Sequence, residues 1–369
     1  MKIVVVGTRG IPRIQGGVET HCEALCPRLV EMGCDVTVIR RSCYVADDNR
    51  ITEYKGVKLV DVFAPRRKSL EAIVHTFLAV IKARRLHADV VHIHAIGPGL
   101  CAPLARLLGM RVVATNHGPD YNRQKWGWFA KTMLKMGEWC QAHCAHQIVV
   151  ISHVIENILK DRYNRVKGVN LIYNGVETPQ KSTSTSYLDE LGLTPKKYVI
   201  AVARFVPEKR LDYLIEAFGK AANAEGYKLV LVGDSDYPDD YSDKLKKQAA
   251  EAGVVMTGFI RDEKLNQIMT NAALFVLPST HEGLPISLLE AMAYGIDVIV
   301  SNIDANRLPE LCDDDIFEVD NIEALTQTLD RKLAAPQLGR KYDLTKYNWD
   351  FIAQQTLEVY TKALKKKKD

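Results

Sequence analysis

No apolar run in the sequence approaches the roughly 18–20 residues that a membrane-spanning helix requires. The chain begins Met1-Lys2 and passes at once into Ile3-Val4-Val5-Val6-Gly7. That run is too short for the core of a signal peptide and reads as a first strand, so a cytoplasmic protein is the expectation. Strong charge is lacking too. The formal net charge is +4 and the pI is near 8.5. That is too mild to argue for nucleic acid, and no arginine-rich or aromatic stacking motif supports one. No repeat with a period of roughly 20–50 residues is present. The eight cysteines include no CxxC pair. Cys22 and Cys26, like Cys140 and Cys144, stand four apart on expected helices, which fits reduced, buried thiols better than a metal site or disulfides. The run from Gly7 to Gly10 does not match GxGxxG, and the acidic ribose partner downstream is missing, which argues against a dehydrogenase.

What remains is an ordinary globular composition, 47% hydrophobic and 25% charged, in 369 residues, a length that suits two domains. Apolar, β-branched strands alternate with helices. Strands are expected at 2–7, 35–40, 56–62, 89–94, 111–116, 147–151 and 170–173, and helices over 18–32, 70–86, 98–108 and 121–145. The polar, aperiodic run 177–186 reads as an interdomain linker. A second series follows, with strands at 198–203, 228–232, 254–257, 272–277 and 297–300 and helices over 211–222, 240–252, 262–270 and 348–365. This alternation predicts parallel sheets covered on both faces. Two doubly wound α/β domains are therefore expected over 1–176 and 187–347. Ligands in such folds bind at the carboxyl ends of the strands. Two facing domains would put that site in the cleft between them.

The stretch 278–295 reads Pro-Ser-Thr-His-Glu-Gly-Leu-Pro-Ile-Ser-Leu-Leu-Glu-Ala-Met-Ala-Tyr-Gly. It leaves an expected buried strand, turns, and enters a helix that Pro285 suits at its first turn and Gly295 at its stop. That helix is apolar almost all round, hence buried, yet carries Glu290, with Glu282 in the loop before it. A buried carboxylate without a partner is costly. No Arg or Lys lies nearby in sequence, so the partner is distant in the chain or is a ligand. The free N–H groups at the helix start, over 284–287, form an anion site. Two hydroxyl acceptors beside a phosphate cradle suit a sugar nucleotide.

Other residues fit the same ligand. Gly16 and Gly17 open a helix where backbone N–H groups can approach a phosphate; the alternative is a flexible turn with a capping glycine. Arg204 and Lys209 follow the first strand of the second series, and a turn of that length brings both cations onto one diphosphate, Arg as a fork and Lys as a point charge. His117, in Asn116-His117-Gly118 at a strand end, is placed to donate to a sugar hydroxyl or phosphate. His92 and His94 share one face of a strand; a metal needs a third ligand in reach, and a structural role is the reading. Asp234-Ser235-Asp236 has metal-site spacing but no requirement for a metal. Residues 121–146 mix Arg123, Lys125, Lys131 and Lys135 with Trp126, Trp128, Phe129, Met133 and Trp139. That mixture suits an interfacial membrane surface and equally a helix packed on its own domain. The lysines at 365–368 suit anionic lipid or a solvated tail.

With these residues assembled, the chain resembles glycosyltransferase family 4, the retaining group with the GT-B fold. The likeness covers nearly the whole length. It rests on Glu-x7-Glu (Glu282, Glu290), Arg-x4-Lys (Arg204, Lys209), the Gly16-Gly17 pair and His117 in family order, and on Tyr347-Asn348-Trp349-Asp350 opening the last helix. The start, Gly7-Thr8-Arg9-Gly10-Ile11-Pro12, resembles bacterial polysaccharide-assembly members, rhamnosyltransferase-like proteins among them. The resemblance implies that helix 348–369 crosses back to the N-terminal domain. It implies an NDP-sugar donor, UDP or GDP, no obligatory cofactor or metal, and a saccharide or lipid-linked acceptor, with a peripheral membrane contact. Arg204 and Lys209 would hold the diphosphate, Glu290 the ribose and Glu282 the donor sugar. Gly283, Leu284, Pro285 and Ile286 would add N–H groups, Gly16 and Gly17 would approach the phosphate, Ile260 would seat the base and His117 would lie near the reacting centre. Arg9 and Arg13, in a first loop longer than the family's, suit diphosphate or an anionic acceptor alike. The rival readings are a sugar-nucleotide epimerase of the same architecture and a two-domain solute receptor, the latter disfavoured by the lack of an export signal.

Overall fold

The computed structural model describes residues 1–65, 71–122, 127–235 and 239–365. Asp236, Arg123, Lys125, Trp126 and the lysines at 366–368, all singled out above, lie outside them. The chain divides into two compact units, one of residues 1–175 with 346–369 and one of residues 176–345.

The first unit is built on strands β1 (Lys2–Val6), β2 (Asp35–Arg41), β3 (Glu53–Tyr54), β4 (Val57–Val62), β5 (Val90–His94), β6 (Arg111–Asn116), β7 (Gln147–Val150) and β8 (Val169–Leu171). Its helices are α1 (Gly17–Glu31), α2 (Glu71–Arg85), α3 (Ala102–Leu107), α4 (Trp128–Cys144) and α5 (His153–Tyr163). The strand order is β3-β4-β2-β1-β5-β6-β7-β8, parallel but for the β3–β4 pair. The β-branched runs are buried from both sides, as a parallel sheet requires: Ile3 to Val6 are at most 1% exposed. The order reverses between β1 and β5, and the carboxyl ends of those two strands frame the crevice that a doubly wound sheet offers a ligand.

The second unit holds α6 (Ser186–Glu190), β9 (Tyr198–Val202), α7 (Leu211–Lys220), β10 (Lys228–Val232), α8 (Asp240–Glu251), β11 (Val255–Gly258), α9 (Asp262–Asn271), β12 (Leu274–Leu277), α10 (Ile286–Ala293), β13 (Asp297–Ser301), β14 (Ile316–Phe317) and α11 (Ile322–Ala334). Its sheet, β11-β10-β9-β12-β13-β14, is parallel throughout and reverses between β9 and β12. The run 177–185 is not a loose tether. Ser182 donates through N to Asn266 Oδ1 (3.2 Å) and through Oγ to Glu263 Oε1 (2.6 Å), fixing it along α9.

The last helix, α12 (Trp349–Leu364), belongs to the first unit. Asn348 caps it, its Oδ1 accepting from the N–H groups of Asp350 and Phe351. Ile352, Ala353, Val359, Tyr360 and Ala363 enter one apolar core with Leu25, Leu29 and Val36 of α1 and β2. Each of the buried Ile, Leu and Val side chains among them contributes about 1.5–3 kcal/mol of burial. Among the described residues no helix is long and apolar enough to cross a membrane. Helix α4 starts at Trp128 rather than near 121; residues 120–122 form a separate 3-10 turn.

Candidate active site

In the second unit the loops leaving β9 and β12 are joined at the reversal of strand order. Thr280 N donates to Glu208 O at 2.9 Å, and Ser301 Oγ donates to Ser279 O. These bonds bring Lys209, on the 3-10 turn Pro207–Lys209, against Glu282: Nζ and Oε1 are 2.5 Å apart. The two side chains are only 15% and 10% exposed. Arg204 opens the same loop, half-buried. The sequence suggests separate tasks for Lys209 and Glu282, and the fold makes them one ion pair. The tasks remain compatible. An ammonium has three donors and a carboxylate two oxygens, so the pair leaves N–H groups for a phosphate and Oε2 for a hydroxyl.

Gly283, Leu284, Pro285 and Ile286 form the turn into α10. Pro285 is the N-cap, extended at φ −74°, rather than a residue of the first turn, and Gly295 ends the helix at φ +71°. Leu288, Leu289, Ala291 and Met292 are buried. Glu290 is half-buried beside them, and its electrostatic partner is Arg261, the residue before α9. Burial pushes the Glu290 carboxyl up to about 7, with Arg261 acting against the rise. Tyr294 Oη donates to Asn266 Oδ1 (3.0 Å), tying α10 to α9. Ile260 lies half-buried between β11 and α9. Asp234 is committed to Lys246 at 2.8 Å, and among the described residues no cluster suits a metal ion.

In the first unit the loop after β1 is rigidly braced. The buried Arg41 donates to Gly7 O (3.2 Å) and Glu71 (2.6 Å), and Arg40 donates to Asn49 O (3.0 Å) and Asp61 (2.6 Å). Glu19 accepts from Thr8 Oγ1 and Arg9 N. Gly16 sits at φ +148°, a backbone conformation that side-chain-bearing residues rarely adopt, so the fold itself requires that glycine. Gly17 differs: a Cβ there would face open space. Its chain neighbours and helix backbone aside, no described residue lies within 4 Å of that position. Arg9 is spent inside the loop, on Gln15 O (3.1 Å) and over the Tyr44 ring (4.9 Å); Arg13 is exposed.

His117 follows β6, in a turn closed by Gly118 N donating to Asn116 Oδ1 (2.9 Å). It is not alone. His94 Nδ1 lies 3.0 Å from His117 Nε2, the two rings stacked at 5.3 Å. His92 is 4.1 Å from His94, and His21 of α1 is 5.2 Å from His117. His92 bridges Tyr360 Oη and Thr115 Oγ1, each at 2.7 Å, and His21 meets Asn174 at 3.0 Å. Burial pushes His21 down to about 4, with Asn174 opposing. It pushes His92 to about 3, with His21 adding to the fall. His94 and His117 are held well below the ordinary imidazole value by burial and by the neighbouring rings.

Residues 15–180 match the family described as Glycosyltransferase Family 4, and residues 186–349 that described as Glycosyl transferases group 1. The chain belongs to glycosyltransferase family 4. An uncharacterized glycosyltransferase of Methanocaldococcus jannaschii is 26% identical over 394 residues, 99% of each chain. The UDP-Gal:alpha-D-GlcNAc-diphosphoundecaprenol alpha-1,3-galactosyltransferase of Escherichia coli is 27% identical over 312 residues, 77% of this chain and 78% of its own. Sucrose-phosphate synthase of Thermosynechococcus elongatus superposes with a TM-score of 0.81 over 98% of both chains at 20% identity, which shows the GT-B fold. These relatives carry transferase or synthase names, and the epimerase alternative is left without support. For this glycosyltransferase the sequence did not point to His21, Asn174, Tyr360 or Arg261, because each reaches its site through the fold rather than through a local motif.

Proposed function

We propose that this glycosyltransferase moves a sugar from a UDP-sugar to a lipid-linked saccharide with retention of anomeric configuration. The observation that carries the reading is the Lys209–Glu282 pair at the β9/β12 reversal, eight residues before Glu290 on a buried helix. In transfer, the bond from the anomeric carbon to the diphosphate oxygen breaks and its electron pair leaves on the diphosphate. The acceptor hydroxyl bonds to the same carbon and gives up its proton. Charge grows on the leaving oxygens, so cations and aimed N–H groups there lower the barrier. Lys209, Arg204 and the N–H groups over 284–287 take that role. Glu282 accepts from a donor-sugar hydroxyl and Glu290 from the ribose; Ile260 packs on the base. Gly16 and Gly17 admit the phosphate, and His117 lies against the sugar. Attack from the face that the diphosphate leaves agrees with retention. UDP and the lipid diphosphate are taken from the name of the E. coli relative.

The test is transfer from UDP-hexoses to a saccharide on a lipid diphosphate, with NMR of the product's anomeric configuration and calorimetry of donor binding. Ribose hydroxyls donate to an ionised Glu290, so UDP should bind more tightly as pH rises from 6 to 8, through the Glu290 value near 7. About half a proton should be released per UDP at pH 7. Tighter binding of GDP, dTDP or ADP would overturn the UDP assignment. Pure pH independence would remove Glu290 from the ribose.

The acceptor's lipid calls for a membrane surface, and α4 offers one. Trp128 (81% exposed), Phe129 (68%), Met136 (44%) and Trp139 (50%) lie along one stripe with the exposed Lys135. Aromatic and basic residues on one exposed helix face suit the headgroup region of an anionic bilayer. The expected result is co-sedimentation with phosphatidylglycerol vesicles and little with phosphatidylcholine. Trp128→Ser with Trp139→Ser should weaken it about tenfold, in line with the loss of buried aromatic area. Equal recovery from both vesicle types would remove the membrane role from α4.

A further inference from the structure

We propose that His94 is a positioning residue for transfer: its hydrogen bond to His117 fixes that ring in a single neutral tautomer and orientation toward the donor sugar. The inference rests on the role given to His117 above. The geometry is built for the purpose. His94 is the last residue of β5 and is 1% exposed, its ring stacked within 25° of parallel on that of His117. One proton serves the 3.0 Å contact between Nδ1 and Nε2, so the ring that donates determines which nitrogen of His117 carries a hydrogen. His94 is itself immobilised. Ala95 N, after it, donates to Thr115 O (3.0 Å), and Gln141 Nε2 donates to Ala95 O (2.8 Å). Behind it, His92 is clamped between Tyr360 and Thr115.

Charge on His117 is disfavoured from every side. Among the described residues, His21 of α1 and His94 of β5 pack their rings on it, and His92 acts on it electrostatically from behind His94, with Tyr360 of α12 behind His92. None of them is a carboxylate. A proton added to the partly buried His117 would meet neighbouring imidazoles and lose hydration, which holds the ring's pKa well below the ordinary imidazole value. With Nε2 held by His94, a neutral ring of defined tautomer presents Nδ1 in one fixed role, donor or acceptor. An imidazolium would present its remaining nitrogen only as a donor.

The variant to make is His94→Ala, with His94→Gln as the form that keeps a polar partner. At saturating donor Glu290 is locked in its ionised form, so kcat isolates His117. Wild-type kcat should be flat from pH 6 to 8. In His94→Ala it should fall about 10–100-fold, as small misplacements of a reacting group do. Its pH profile should stay flat, because burial, His21 and His92 still disfavour charge on His117. Donor KM should move less than threefold, and His94→Gln should recover most of kcat. In ¹⁵N-histidine NMR, His117 should show one tautomer in the wild type and averaged ring nitrogens in His94→Ala. An unchanged tautomer with flat, undiminished kcat in His94→Ala overturns the proposal. If His117→Ala keeps full kcat, it is the role of His117 that fails; the NMR comparison reads His94 independently of that outcome.

Discussion

Lys209→Ala and Glu282→Ala should each lose about 10²–10³-fold in kcat, the scale of removing one preorganised charge-stabilising group from a transfer site. The two losses have different origins. In the proposed reaction Lys209 supplies the cation on which the leaving diphosphate's charge develops. In the same proposal Glu282 accepts from the donor sugar, and its 2.5 Å contact holds the Lys209 ammonium in place. Because both side chains are mostly buried, each single variant also strands a charge, which costs about 3–5 kcal/mol where burial is complete and less at this rim. The double variant removes both charges together.

Stability and catalysis should therefore separate. Denaturant unfolding of the double variant should lie nearer the wild type than either single variant, while its turnover stays at or below the lower of the two. A donor-binding measurement adds a further split. Lys209→Met preserves the aliphatic stem and should lose kcat with only modest loss of UDP affinity, because transition-state charge exceeds ground-state charge at the leaving oxygen. Full turnover in a folded Lys209→Met protein would remove the lysine from the chemistry. An activity that recovers along with stability in the double variant would make the pair a structural bridge.

Much of this site was legible because its motifs are contiguous. Residues 278–295 hold the strand end, the turn, the orphan N–H groups and both glutamates in one stretch, and the buried helix face is readable from its composition. The meeting of Lys209 with Glu282 was not legible. It depends on β9 and β12 being neighbours at the reversal, a fact of strand order that local periodicity does not encode. The same holds for the histidines: residues 21, 92, 94 and 117 converge because β5 lies between β1 and β6, and Tyr360 arrives from the far end of the chain. Among the helices, α5 buries only Ile155 and Leu159, too thin a stripe to announce itself. Helix α11 carries Leu325, Leu329 and Leu333 at i, i+4 and i+8, a stripe that the alternation of strands overshadows. The two-residue strands β3 and β14 are too short to show a period of two. The run 177–185 lacks any apolar pattern because polar bonds to α9, not burial, hold it.

The first unit should lose stability steeply as pH falls from 6.5 toward 4. His21, His92 and His94 are 2%, 1% and 1% exposed and neutral in the folded protein, held there by burial and by one another. Unfolded, each has a pKa near 6.5. A histidine whose folded value is depressed stabilises the fold fully above 6.5. That contribution is lost as pH drops below 6.5, because the unfolded chain binds the proton and the native one does not. His94 acts in the same direction as His21 and His92, and at pH 5 the difference is about 2 kcal/mol for each of the latter, or about 4 kcal/mol for the two. That is comparable with the roughly 5–15 kcal/mol that holds a whole domain. Glu290 works in the opposite sense. Its raised value makes the second unit gain about 2–3 kcal/mol over the same interval, since there the native state binds the extra proton. The two units should accordingly respond to acid in opposite directions. In urea unfolding followed at pH 8 and pH 5, α12 reports the first unit through Trp349, whose ring lies 5.3 Å from His21. Its fluorescence transition should shift to markedly lower urea at pH 5. His92→Gln keeps a donor and an acceptor between Tyr360 and Thr115 but cannot charge, and it should flatten the pH dependence by about one proton. A Trp349 transition that does not move between the two pH values would mean that the rings take up protons in place, and the neutral histidine cluster would have to be abandoned.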